Sequence, residues 1–189
     1  MMKILLSLFI LLFSHITIAD DISEFEIEGI SLGDSLLDYF SEDYILEEFE
    51  VGKDEYYWTD QKFTDVYKYG GMDLYDNLSL SVKRKDSKYI IYAINGQITY
   101  ENINNCLNKQ KEIDIEFSKI FKNLKKNQYD HKHSQDNTGK SHVYRIQYEF
   151  NTKDVVEIVC FDLAEHMNQP SGLDVGIVSA EYYDWLNSF

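Results

Sequence analysis

Hydrophobic and polar positions alternate with a period of two in several segments of this chain, and a sustained period near 3.6 runs through its middle. Phe25 and Ile27 alternate with Glu24, Glu26 and Glu28, which predicts a short strand with one wet face. Gly33 permits a turn, and Ser35 with Asp38 three residues on carries the start signature of a helix holding Leu36, Leu37 and Phe40. Ser41 opens a second short helix through Tyr44, Ile45, Leu46 and Phe49. Residues 51–76 are aromatic but aperiodic, and predict a loop region with one short strand over Phe63 to Tyr69.

Leu78, Leu80 and Val82 alternate with Ser79, Ser81 and Lys83 as a strand that ends in "RKDSK". "YIIYAI" follows as a more buried strand, Asn95-Gly96 predicts a two-residue hairpin turn, and "QITY" returns, which makes a three-stranded meander. Between residues 102 and 126 the period lengthens. Ile103, Cys106, Leu107, Ile113, Phe117, Ile120, Phe121 and Leu124 form the stripe of one long helix, with Lys119, Lys122, Lys125 and Lys126 at its favourable end. "NQYDHKHSQDNTGKS" is a polar loop. Beyond it Tyr144, Ile146, Tyr148 and Phe150 share one strand face, and Val156, Ile158 and Cys160 share one side of the next. "LDVGIVS" supplies a last strand and "AEYYDWLNSF" a terminal helix with Tyr182, Trp185 and Leu186.

The predicted fold class is α+β: an antiparallel sheet of about five to six strands, one long helix packed on a face, and short terminal helices. If the long helix lies on the sheet, Cys106 and Cys160 point into one interface, so a disulfide between them is expected. The start of the chain bears on that expectation. Lys3, the apolar run from Ile4 to Phe13, and Thr17 with Ala19 form a signal peptide over residues 1–19, cleaved after Ala19. Residues 20–189 are then a single exported domain, periplasmic or secreted, with no membrane insertion after cleavage.

Charge is uneven. Residues 20–60 hold 15 Asp and Glu against one base, Lys53, whereas residues 61–189 hold 18 acids and 16 bases. Such a lobe repels nucleic acid and anionic lipid, so neither is expected as a partner. It leaves a cation, a basic protein partner docking on the acidic N-terminal region, or plain solubility, and it leaves the oligomeric state open.

Catalytic patterns are sparse. "GKS" at Gly139 to Ser141 lacks the Gly that a phosphate loop needs at position 134 and precedes a strand. His131, His133 and His142, with Asp130 and Asp136 nearby, are metal-ligand types in a solvated loop, His166 stands alone, and no metal or cofactor is expected. Glu47 with Glu48, or Asp54 with Glu55, would be acid–base pairs only if a cleft joined them. Among 15 Tyr, 11 Phe and two Trp, the group outside a core period is Tyr56, Tyr57 and Trp58, an exposed aromatic cluster fit for a sugar or a protein surface. The expected function is that of a non-enzymatic exported interaction or accessory protein; the alternative is a small-ligand or saccharide binder using exposed aromatics.

Two resemblances bear on this. "FEIEGISLGDSLLDYFSEDYI", "KYIIYAINGQITY", "CLNKQKEI", "GKSH" and "EYYDWL" resemble uncharacterised exported proteins of AT-rich marine bacteria, over most of the chain, and imply no particular activity. "ISLGDSLLDYF", followed later by strand, "NG" and strand, resembles the small-lipoprotein (SmpA/OmlA-like) fold of outer-membrane assembly factors over about a third of the chain. That second likeness implies a Gly-led helix pair on an antiparallel meander. The family's lipid-attachment Cys has no counterpart here, so anchoring and the assembly role do not carry over.

Overall fold

The computed structural model describes residues 22–53, 56 and 59–189; the expected signal peptide and its cleavage after Ala19 lie outside them. Two short strands, β1 (Glu26–Ile27) and β2 (Ile30–Ser31), make a small hairpin. Its turn residues Glu28 and Gly29 have φ of 53° and 76°. Two positive values are what a two-residue turn of this hand requires. The Glu is held there by tertiary contact, because its carboxylate accepts the backbone N–H of Asp73 and Leu74. Ser35 caps a single 3-10 turn over Leu36–Asp38 rather than a longer helix, and Ser41 caps α1 (Glu42–Val51) by accepting the N–H of Tyr44.

The main sheet has seven strands, all antiparallel: β3 (Phe63–Tyr69), β4 (Asn77–Lys83), β5 (Ile91–Thr99), β6 (Lys125–Lys132), β7 (His142–Glu149), β8 (Val155–Asp162) and β9 (Gly172–Val178). Their spatial order is β3-β4-β5-β9-β8-β7-β6. Two three-stranded meanders are thus joined by the last strand of the sequence, which lies at the centre. The helix α2 (Ile103–Ile120) is the crossover between the meanders, and α3 (Ala180–Leu186) ends the chain. The expectation of five to six strands therefore falls short of the seven in this sheet.

Three local expectations are overturned, each by a long-range contact. Asn95-Gly96 does not turn; β5 runs straight through it. A Cβ on Gly96 would lie 2.6 Å from the Tyr75 ring, so the glycine serves a close approach instead of a hairpin. Gly96→Ala is expected to cost about 1–3 kcal/mol by forcing that ring aside. Urea unfolding at wild-type midpoint would refute this account. The helix stops at Ile120, Lys125 and Lys126, expected at its end, open β6, and the rest of β6 lies in the segment expected to be a polar loop. β6 carries no apolar alternation because all of its residues but Asn127 are exposed, and its order comes from a full register with β7.

One face of the sheet carries the main core. Val66, Leu80, Ile94, Ile177, Val156 and Ile146 line it under α2 and the N-terminal segment, which contributes Phe25, Ile30 and Leu36. Gln110 is the buried polar member of the helix stripe; its amide donates to the backbone oxygens of Tyr144 (2.8 Å) and Ile158 (2.9 Å). Cys106 on α2 and Cys160 on β8 are both fully buried, with sulfurs at disulfide distance and Cα atoms 6.0 Å apart. Among the described residues no helix is long and apolar enough to cross a membrane. A disulfide with no such helix is compatible with an exported protein.

The edges differ. β3 is covered by α1: Glu48 accepts the Tyr67 N–H (3.1 Å), and the Tyr44 hydroxyl donates to the Tyr67 carbonyl (2.6 Å). β6 is the other edge, guarded by Lys125, Lys126 and Lys132 in the way edge strands usually are.

Candidate functional site

The second face of the sheet is only half covered. At one end α3 seals Phe63, Ala93 and Val178 under Tyr182 and Trp185. Here Asp65 is buried, accepting from the Ser81 hydroxyl (2.5 Å) and the Tyr56 hydroxyl (2.7 Å), and burial raises its pKa against those bonds. Tyr56, expected in an exposed cluster, is half-buried: it also bonds Tyr182 (2.8 Å) and packs edge-on against Trp185. Tyr57 and Trp58 lie outside the described residues.

Away from α3 this face is polar. Cross-strand partners point to the same side, so the register places Tyr69, Asn77, Gln97, Asp174, Val159, Arg145 and Tyr129 in one row across all seven strands. The row beside it reads Tyr67, Ser79, Asn95, Gly176, Glu157, Gln147 and Asn127. Gly172 and Gly176 flank Asp174 on β9 and keep side chains off the face on either side of it. A Cβ on Gly176 would collide with the Asn95 side-chain oxygen, and one on Gly172 would lie 2.5 Å from the Ile98 carbonyl.

A hydrogen-bond network spans the two rows. Gln97 donates to Asp174 Oδ2 (3.2 Å); Arg145 Nη1 (3.2 Å) and Gln147 Nε2 (2.8 Å) both donate to Glu157 Oε2. Tyr129 and Tyr183 donate to Gln147 Oε1, at 2.8 and 3.5 Å. Burial pushes the Asp174 carboxyl up to about 7, with the Glu157 charge adding to it and the Gln97 bond and Arg145 opposing it. At neutral pH the group is therefore poised between donor and acceptor. Asn77 Oδ1 and Arg145 Nε are buried with no hydrogen-bond partner. They belong to the same row, on either side of the Gln97–Asp174 pair. Buried polar atoms are seldom left unpaired, and such atoms call for a specific explanation.

The other sequence candidates are placed elsewhere. His131 lies on β6 opposite Val143, and His142 begins β7 opposite Lys132. Among the described residues no group of three or more His, Cys, Asp or Glu could hold a metal ion. The loop between β6 and β7 is closed by Asp136, whose buried carboxylate accepts the Thr138 hydroxyl (2.6 Å) and the N–H groups of Thr138, Lys140 and Ser141. These bonds, with the Thr138 hydroxyl foremost, hold it well below the usual carboxylate range, and His166 Nε2 sits 3.0 Å away.

In the acidic segment, Glu28, Asp34, Glu42 and Glu48 have internal partners: the Asp73–Leu74 backbone, Ser31 N–H, Tyr89 hydroxyl and Tyr67 N–H. Glu47 is exposed on α1 while Glu48 is engaged with the Tyr67 N–H, and Asp54 and Glu55 are outside the described residues. Two clefts lie off the polar face's centre. One of about 460 Å³ is lined by Asp60, Lys62, Lys83, Arg84 and Lys85, and Lys62 and Lys83 already pair with Glu181. One of about 390 Å³ runs between α2 and β6, past Leu107, Gln128 and Asp130, and its lining includes Tyr129 and Arg145 at the end of the row.

Alternation sets Arg145 and Gln147 opposite the apolar face of their strand, and it singles out neither Glu157 nor Asp174. The available signal was "GLDVG", in which Gly, Asp and Gly alternate with Leu and Val on a strand that continues into Ile177 and Val178. Compared with protein-family models, with curated proteins and with solved structures, the chain matches none.

Proposed function

We propose that the protein is a non-enzymatic binding protein of an exported compartment, and that it takes a polar ligand on the open face of its sheet. The observation that carries this reading is the pair of unpartnered buried atoms, Asn77 Oδ1 and Arg145 Nε, beside the half-buried Gln97–Asp174 pair. A sheet face serving only as a solvated surface has no need to desolvate an acid and a guanidinium, and doing so costs stability. A ligand with both donors and acceptors would meet the Gln97 amide and the Asp174 carboxyl beside those atoms. The candidate cluster at Tyr56 is not used in this reading, since that ring is engaged with Asp65 and Tyr182. Export is supported by the Thr17, Ala19 pattern together with the buried cysteine pair.

Chemical-shift mapping tests this. Isotope-labelled protein titrated with pools of amino acids, sugars and nucleosides is expected to shift at Asn77, Gln97, Asp174 and Arg145, and Arg145→Ala is expected to abolish the response while retaining the fold. Shifts that leave this row untouched would refute the reading. A second reading, docking of a basic protein on the acidic N-terminal region, is favoured by one observation. Glu24, Glu26, Asp38, Asp43, Glu47 and Glu50 stay exposed after four neighbouring acids are used internally. Polylysine in the same titration would shift α1 instead of the sheet.

A further inference from the structure

We infer that the ligand of the open face is an extended neutral saccharide chain laid across the strands from Tyr69 to Tyr129, which rests on the binding reading above. The row has an aromatic at each end. Tyr69 is 67% exposed on the edge strand β3, and Tyr129 is 39% exposed on the opposite edge strand β6. With strands about 4.8 Å apart, seven strands set these two rings about 29 Å apart along the surface. A single small molecule cannot reach both. A chain molecule can, and this row runs across the strands, whereas a bound peptide would pair along an edge such as β6.

The chemistry between the rings selects the kind of chain. A sugar ring has C–H faces that stack on tyrosine and hydroxyls that both donate and accept. Asn77 and Gln97 offer amides, Asp174 a carboxyl that changes between donor and acceptor near neutrality, and Arg145 further donors. The Arg145 charge is neutralised by the Glu157 carboxylate of the row beside it, which Gln147 also bonds. The chain as a whole has a formal net charge of −15, so a polyanion would be repelled. What remains is an uncharged polyhydroxylated chain. The tyrosines also bracket the two unpartnered atoms, Asn77 Oδ1 and Arg145 Nε, which are enclosed beneath the row's surface.

Calorimetric titration with chitohexaose, cellohexaose and maltohexaose, each beside its disaccharide, tests the inference. At least one hexasaccharide is expected to bind, with its disaccharide at least tenfold weaker. Tyr69→Ala and Tyr129→Ala are each expected to weaken the hexasaccharide about tenfold, the loss of one stacking contact. Both rings are largely outside the core, and circular dichroism would confirm folding; Gln97→Ala is a third variant, expected to weaken both ligand lengths. If none of the three hexasaccharides binds, or if binding is indifferent to both tyrosines, the inference is overturned. If small polar ligands still shift the row under those circumstances, the binding reading survives without it; if no ligand does, both fall.

Discussion

Replacing Cys106 and Cys160 together by alanine is expected to lower the unfolding free energy by about 4 kcal/mol, the chain-entropy value for a loop of this length. The two residues are 54 apart in sequence, and the loop they close contains α2 from Cys106 onward, all of β6 and β7, and β8 as far as Cys160. That loop holds nearly all of the sheet's second meander, and its closure is long-range, so the unfolded chain loses much freedom when the bond is present. Both side chains are fully buried, and two alanines leave small voids whose cost adds to the entropic one. Urea unfolding of the variant beside the oxidised protein measures the effect. Labelling of denatured, non-reduced protein that found two reactive thiols would overturn the pairing, and a loss under about 1 kcal/mol would overturn the energetic account.

Asp174→Asn is expected to do the opposite at neutral and alkaline pH. The folded carboxyl has its pKa near 7, raised from an ordinary value of 3.8. Below about pH 4 both folded and unfolded chains hold the proton, and the position is neutral in effect. As pH rises from about 4 to about 7 the unfolded chain releases its proton first, so stability falls across that window and stays reduced above it. The full cost is on the order of 2–4 kcal/mol. Asparagine keeps the shape and still accepts from Gln97. The variant should therefore match the parent at pH 4 and exceed it by that amount at pH 8, measured by urea unfolding at both. Parallel pH profiles for the two proteins would show that Asp174 carries no such strain. If this face binds its ligand as proposed, the same substitution weakens binding, and the added stability marks a group kept for function at a cost to the fold.

Much of the architecture was legible in local pattern. The strand expected over Phe63 to Tyr69 is β3, and the inward sides of β7 and β8 are those that alternation assigned. Packing the α2 stripe onto those sides brings Cys106 and Cys160 together. Each of these follows from side-chain period alone, since a period of two or 3.6 fixes which residues share a face. Where pattern misled, a distant residue had decided the matter. Asn95-Gly96 has the ideal composition for a tight turn, yet Tyr75 occupies the space over Gly96 and the chain continues; Glu28-Gly29 makes the turn because the backbone at Asp73 and Leu74 holds the glutamate there. β6 has no alternation to read, and exists because β7 offers it a full ladder.

The candidate site shows the same division. From residue order alone one obtains the two periods, the faces, the cysteine pair and the acidity of residues 20–60. The neighbours of β9 come only from the assembled sheet, because strand order is set by pairing between segments far apart in the chain and leaves no local mark. That insertion between β5 and β8 converts "GLDVG" from an unremarked last strand into the centre of the sheet. It sets Asp174 beside Gln97 and near Glu157 and Arg145, buries it enough to hold a proton near neutrality, and aligns seven residues from seven strands into one row.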